Sequence, residues 1–185
     1  VLFALSLGLI YGELTWAGLL DAMVRAIRST AAVMFILATV AIFAWVLTVE
    51  RVPDRVAEAM FSLTDQTWIL WLLILATLLF LGLFESASAN LLIVTPILVP
   101  IAPALGIDLV HLGVVIVFAL MVGQITPPVG ITLFIVTEIA GVAMAGIVKA
   151  LLPYIAAMIL ALLLVTYWDG LVLWLPRLLG YAGAG

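Results

Sequence analysis

The chain has 185 residues, of which 68% are hydrophobic and 9% are charged, and its mean hydropathy is +1.48. This composition excludes a soluble globular protein and predicts a membrane protein with several spans. The net charge of −4 and the lack of a basic run argue against a nucleic-acid partner. The absence of cysteine excludes disulfides and thiolate metal sites.

Residues 1–67 are predicted to form scaffold-type transmembrane helices with interfacial connecting helices. Val1 to Tyr11 is interpreted as the remnant of one span, and an N-terminal part of a longer protein is expected before it. Thr15 to Arg28 is amphipathic and starts near Trp16, which predicts a helix lying in the membrane interface. The alternative is a solvent-facing connector packed on protein. Ser29 to Thr48 is long enough to span the bilayer.

A short interfacial helix is predicted next, with its charged residues on one polar face. Pro53 suits the first turn of such a helix, because its missing amide hydrogen is not needed there. The polar face is interpreted as solvated, and it carries Arg51, Asp54, Arg55 and Glu58.

The following segment has two apolar arms, Trp68 to Leu83 and Leu91 to Ala104, around the small and polar stretch Phe84 to Asn90. At 1.5 Å per residue the arms are about 24 and 21 Å long, less than a hydrocarbon core of about 30 Å. A re-entrant helical hairpin over about residues 68–105 is therefore predicted. Two tilted full spans joined by a short loop are the alternative. The residues expected near the hairpin tip are Glu85, Ser86, Ser88 and Asn90.

A helix-breaking octapeptide, Gly123-Gln-Ile-Thr-Pro-Pro-Val-Gly130, separates the apolar runs Leu109 to Met121 and Ile131 to Ala140. Its prolines and final glycine force local unwinding. Backbone groups freed in hydrocarbon must be satisfied, so such breaks usually line a cavity or a site. The sequence predicts a discontinuous transmembrane helix over about residues 109–140, within a transport-domain half over residues 68–146. An ordinary loop between two helices is the alternative.

Residues 147–185 are predicted to form a last transmembrane helix, about Leu151 to Tyr167, and an amphipathic tail. The fold class is therefore all-α and polytopic. The sequence shows no pattern typical of an intramembrane protease, which would need a serine with a histidine, paired aspartates or a zinc motif. The single histidine, His111, is expected near a surface turn as a surface or capping group.

Six motifs follow one another along the chain. They are Gly82-Leu-Phe-Glu-Ser-Ala-Ser-Ala-Asn90, Thr95-Pro-Ile-Leu-Val-Pro100, Ala104-Leu-Gly-Ile-Asp108, His111-Leu-Gly113, Gly123 to Gly130 and Leu173-Trp-Leu-Pro-Arg177. This ordered set resembles the large membrane subunit of tripartite ATP-independent periplasmic (TRAP) transporters, in the wider ion transporter superfamily. The resemblance is strong from about Phe84 to Phe134, so the chain is similar to the C-terminal half of that subunit.

The resemblance implies one half of an inverted-repeat, elevator-type carrier in a bacterial or archaeal cytoplasmic membrane. It implies sodium-coupled import (symport) of organic acids such as C4-dicarboxylates or sialic acid, without an organic cofactor. The implied partners are a periplasmic substrate-binding protein and a small four-helix membrane subunit. Two alternatives stay open: a superfamily carrier that works without a binding protein, and an ion channel subunit.

The hairpin tip and the break are predicted to form one site, in which sodium lies beside a substrate carboxylate. Unwound helices expose carbonyl oxygens to a cation, and half-helix N-termini favour an anion. For Glu85, capping of backbone amides is favoured over direct ligation. The predicted sodium ligands, mostly through backbone carbonyls, are Glu85, Ser86, Gly123, Thr126 and Gly130. The predicted substrate contacts are Ser86, Ser88, Asn90, Thr126 and Pro127.

Overall fold

The structure is a computed structural model that describes residues 7–8, 10–11, 15–64 and 66–181. Regular structure in these ranges is helical, and the chain divides into two packing units, residues 1–43 and residues 44–185. The predicted all-helical polytopic fold is confirmed, since four of the described helices are long and apolar enough to cross a membrane. Most of the predicted span at the N-terminus lies outside the described residues.

The first described long helix, α1, runs without interruption over Trp16–Val49. The expected separation into an interfacial helix and a following span is therefore wrong. The reason is local, because no glycine or proline stands between Leu19 and Val49 to stop the helix. Its 34 residues measure about 51 Å, more than the hydrocarbon core requires. An ion pair from Asp21 to Arg25 spans one turn of its exposed N-terminal part.

Helix α2, Val52–Leu63, begins after a left-handed residue, Arg51, whose φ is +52°. Pro53 lies in the first turn, as predicted. The four charged side chains of the predicted polar face are all exposed. They line a surface cavity of about 620 Å³ together with Glu50.

The predicted hairpin arms are longer than expected. Helix α3 covers Thr67–Phe84, and helix α4 covers Ala87–Ile101 and continues into a 3₁₀ turn, Ala102–Leu105. Only two residues separate them, because α4 begins inside the polar stretch. Arms of 18 and 19 residues are each long enough to cross a membrane. The expectation that the arms are too short to cross the membrane, on which re-entry was based, is therefore wrong. Re-entry itself stays a prediction.

The predicted helix break is present. Helix α5 covers Leu109–Gln124 and helix α6 covers Ile131–Ala140, with irregular backbone over residues 125–130 between them. The peptide bond between Pro127 and Pro128 is cis. Gly130 has a φ of +50°, in the left-handed region that glycine adopts readily.

Helix α5 lies at the centre of the apolar core of the second unit. Its buried face packs against α3, α4 and helix α7, Met144–Tyr167. Helix α8, Asp169–Leu178, closes one side through Leu173, which is also buried. The most buried side chains of α5 are Leu112, Val115, Ile116, Ala119, Leu120 and Val122.

His111 is buried, so its predicted surface position is wrong. Its Nε2 atom lies 2.8 Å from the carbonyl oxygen of Val165, and since a carbonyl only accepts, Nε2 carries the proton and donates it. Its ring packs against Trp71 with 5.3 Å between ring centroids. The cap of α5 is instead Asp108, whose Oδ1 accepts from the amides of Val110 and His111.

Candidate functional site at the helix break

Helices α3 and α5 run parallel and in contact. Trp71 meets His111 near their first turns, and Gly82 meets Gly123 near their last turns. The two C-terminal ends therefore lie at the same end of the bundle. This arrangement brings the turn after α3 and the break after α5 to one place, although none of the hydrogen bonds among the described residues joins them directly.

Ser86 caps helix α4. It precedes the first helical residue, and its Oγ accepts a hydrogen bond of 3.3 Å from the amide of Ala89. A short hydroxyl side chain at this position reaches the amides of the first turn. Glu85 is exposed, and its carboxylate makes no hydrogen bond within the described ranges. The capping role predicted for Glu85 is therefore wrong, and Ser86 performs it.

Asn90 ties the turn together from its buried side. Its Nδ2 donates to the carbonyl oxygens of Leu81, at 3.0 Å, and Glu85, at 3.4 Å. The side chain of Asn90 therefore forms hydrogen bonds across the turn. Because the amide nitrogen is used in this way, Asn90 has only its Oδ1 atom left, an acceptor that suits a substrate hydroxyl or a cation rather than a carboxylate. Ser88 is exposed in the first turn of α4 and makes no hydrogen bond to the part of the chain described here.

Thr126 supplies a hydroxyl oxygen at the break. Its Oγ1 donates a hydrogen bond of 2.6 Å to the carbonyl oxygen of Val122. The proton is thus directed back into α5, and the oxygen keeps its lone pairs for a cation or another donor. The amide of Thr126 donates to the Gly123 carbonyl at 3.0 Å. One of the predicted carbonyl ligands therefore already accepts a backbone hydrogen bond.

Two backbone carbonyls converge on Gly130. A Cβ atom at this position would lie 2.9 Å from the Thr126 oxygen and 3.0 Å from the Gln124 oxygen, so only glycine fits. Neither oxygen accepts a hydrogen bond within the described ranges. The Gln124 carbonyl was not among the predicted ligands. The sequence contains a signal for this ligand. In a continuous helix the Gln124 carbonyl would accept from the amide four residues later, but that residue is Pro128, which has no amide hydrogen.

Helix termini add partial charges to the carboxylate of Glu85 at this end. The C-terminal ends of α3 and α5 carry partial negative charge, and the N-terminal ends of α4 and α6 carry partial positive charge. Gly130, the residue before α6, has no side chain to cap that helix. No group of three or more His, Cys, Asp and Glu side chains within the described ranges could hold a metal ion. A cation here would thus be held by carbonyl and hydroxyl oxygens.

A second concavity lies away from the break, between α2, α3 and α4. Its volume is about 350 Å³, and its lining is apolar except for Thr77. The hydroxyl of Thr77 already donates to the Leu73 carbonyl. This groove offers no group that would recognise a carboxylate, so the polar atoms at the break remain the better candidate site.

Comparison with known proteins identifies the family. The family model described as "Tripartite ATP-independent periplasmic transporter, DctM component" matches residues 1–171. The chain belongs to this family. As a DctM-family chain it is a multi-pass protein of the cytoplasmic membrane and belongs among transporter permeases rather than enzymes.

Named relatives of this DctM-family chain differ in substrate. It is 36% identical over 97% of its length to the sialic acid TRAP transporter large permease protein SiaM of Vibrio cholerae, of which it covers 43%. It is 42% identical over 82% of its length to the C4-dicarboxylate TRAP transporter large permease protein DctM of the same species, covering 34% of it. It is 37% identical over 85% of its length to the isethionate TRAP transporter permease protein DctMQ of Oleidesulfovibrio alaskensis, covering 25%. The chain therefore spans less than half of these relatives.

Proposed function

We propose that this chain forms part of a large permease subunit that imports an organic anion together with sodium. The observation that carries the proposal is the break after α5, where the Gln124 and Thr126 carbonyls converge beside Gly130. Thr126 also supplies a hydroxyl oxygen there. Oxygen atoms of this kind suit a hard cation, and unwound carbonyls bind Na⁺ in carriers with broken helices.

The anion is proposed to bind next to this cation. The start of α6 lacks a side-chain cap, and the amide of Leu133 already donates to the Gly130 carbonyl at 2.7 Å, so the amides before Leu133 are the ones offered to an anionic group. A sodium ion among the carbonyls would strengthen that attraction at short range. The hydroxyls of Ser86 and Ser88 are proposed to donate to the anion. The Oδ1 atom of Asn90 and the hydroxyl oxygen of Thr126 act as acceptors here, so they are proposed to contact a hydroxyl group of the substrate or the cation.

The proposed substrate is a small organic acid delivered by a periplasmic binding protein, and a small four-helix membrane subunit completes the complex. The proposal is supported by relatives named for sialic acid and C4-dicarboxylates. A third relative is named for isethionate, an anion that is not a carboxylate, so the proposed substrate class is organic anions in general. The transport movement is proposed to be a displacement of the hairpin and the broken helix together, as in elevator-type carriers.

The test is uptake into proteoliposomes that contain the full-length subunit with its small subunit, supplied with the binding protein. Radiolabelled sialic acid, C4-dicarboxylates and isethionate form the substrate panel. Uptake of at least one acid is expected to saturate, and to require both an inward sodium gradient and the binding protein. Sodium-driven uptake without the binding protein would favour another superfamily carrier, and non-saturable flux without either would favour a channel.

A further inference from the structure

Gly82 forms an unusually close backbone contact with helix α5. A Cβ atom on Gly82 would lie 2.9 Å from the Leu120 carbonyl oxygen and 3.0 Å from the Gly123 Cα atom. The contact is reciprocal, because a Cβ on Gly123 would lie 2.8 Å from both the Gly82 Cα atom and the Leu79 carbonyl oxygen. All of these neighbours are backbone atoms, so no side chain can turn away to make room.

The two glycines therefore set the separation of α3 and α5 at this level. Small residues allow helices in membranes to approach closely, and Cα–H groups then face carbonyl oxygens of the opposite helix. A methyl group at Gly82 can be accommodated only if the two helix backbones move apart. That movement would occur within one turn of the ends of both helices.

Both ends lead directly into the proposed site. Gly123 is followed by Gln124, whose carbonyl faces Gly130. Gly82 follows Leu81, whose carbonyl accepts the hydrogen bond from Asn90. A shift of α3 relative to α5 is therefore transmitted to the turn on one side and to the break on the other.

We propose that Gly82 is a positioning residue for the ion and substrate site, which holds the turn after α3 at a fixed distance from the break after α5. This inference rests on the proposed sodium-coupled function. Gly82 itself supplies no ligand. Its role is to exclude a side chain at the point where the two halves of the site meet.

The test compares Gly82→Ala with Gly113→Ala in the full-length subunit. Gly113 is the matched control, because it lies in α5 and a Cβ there would meet nothing within 4 Å. The measurements are the sodium concentration for half-maximal uptake and the sodium-induced rise in the thermal unfolding temperature. For Gly82→Ala we expect the half-maximal concentration to rise by about tenfold or more, as misplacement of a preorganised site by up to about 1 Å would cause. Gly113→Ala should match the wild type in both measurements.

The possible outcomes distinguish a failure of this inference from a failure of the proposed function. Sodium-independent uptake by the wild type overturns the proposed function and the inference with it. Sodium-dependent wild-type uptake with equal behaviour of the two variants overturns the inference alone. If Gly82→Ala gives no monodisperse protein while Gly113→Ala does, the contact serves the whole fold rather than the site, and the inference is also overturned. The thermal shift reports sodium binding even where a variant transports slowly.

Discussion

The side-chain nitrogen of Asn90 lies 3.0 Å from the carbonyl oxygen of Leu81 and joins the first turn of α4 to the last turn of α3. The same nitrogen reaches the Glu85 carbonyl. A buried amide in this position holds the chain through a turn of only two residues. It also gives the Leu81 carbonyl a second donor, beside the Glu85 amide at 3.3 Å.

Replacement of Asn90 by leucine, which keeps the branched shape of the side chain but removes both polar atoms, should therefore destabilise the subunit. The Leu81 carbonyl would keep the amide of Glu85 as a donor at 3.3 Å, so the expected cost is that of one typical hydrogen bond, about 0.5–1.5 kcal/mol. Thermal unfolding of the purified full-length subunit measures the effect. Ser88→Ala, on the same helix and exposed, should change stability by no more than about 0.5 kcal/mol. Equal unfolding temperatures for the two variants would contradict the bracing role of Asn90.

The hydroxyl of Thr126 is expected to be needed for sodium, while its methyl group is not. Thr126→Val keeps the shape and removes the oxygen, whereas Thr126→Ser keeps the oxygen. We expect Thr126→Val to raise the sodium concentration for half-maximal uptake at least about tenfold, which corresponds to about 1.4 kcal/mol of binding. Thr126→Ser should stay close to the wild type. A valine variant with unchanged sodium dependence would remove Thr126 from the ligand set.

His111 should matter for stability and not for sodium coupling. It is the third residue of α5, twelve residues before Gly123, so the two Cα atoms are about 18 Å apart along the helix. His111→Leu removes the donor to Val165 and is expected to cost about 1–3 kcal/mol. The exposed neighbour Val114→Ala is the control for thermal unfolding. An altered sodium requirement in His111→Leu, at temperatures where it is folded, would show that this end of α5 is coupled to the break.

Tyr181 should make stability decrease at alkaline pH. Partial burial, followed by the charge and hydrogen bond of Asp108, raises the pKa of Tyr181 above its ordinary value of 10.0. The folded state thus favours the neutral phenol, and this contribution is complete below pH 10 and is lost as pH rises through the raised pKa. Tyr181→Phe should show a smaller loss of unfolding temperature above pH 10 than the wild type. The exposed Tyr154→Phe is the control and should follow the wild-type pH profile.

The left-handed backbone at Arg51 predicts a stabilising substitution. A non-glycine residue with a φ of +52° carries a steric cost of about 1–2 kcal/mol, which glycine avoids. Arg51→Gly should therefore raise the unfolding temperature or leave it unchanged, because the extra flexibility of the unfolded chain offsets part of the gain. Arg55→Gly, inside α2, should instead cost about 1 kcal/mol. A clear loss of stability in Arg51→Gly would mean that the arginine side chain contributes more than its backbone costs.

Local chemistry explains why much of this structure could be predicted from the sequence. The glycine and proline residues that bound the apolar runs predicted the ends of α5 and α6, because such residues interrupt a helix locally. The same reasoning failed for α1, where polarity changes along a helix that contains no breaker after Gly18. It also failed at the turn after α3, where a serine cap starts α4 earlier than the polar composition indicates.

The sequence by itself determined the membrane class, the family motifs and the position of the helix break, since these follow from composition and from residues adjacent in the chain. Only the tertiary structure decided that His111 is buried against Trp71 and that Gly82 lies against Gly123. The partners in both contacts are about forty residues apart in sequence. Hydropathy and propensity describe a residue and its near neighbours, whereas helix packing depends on which faces of distant helices meet.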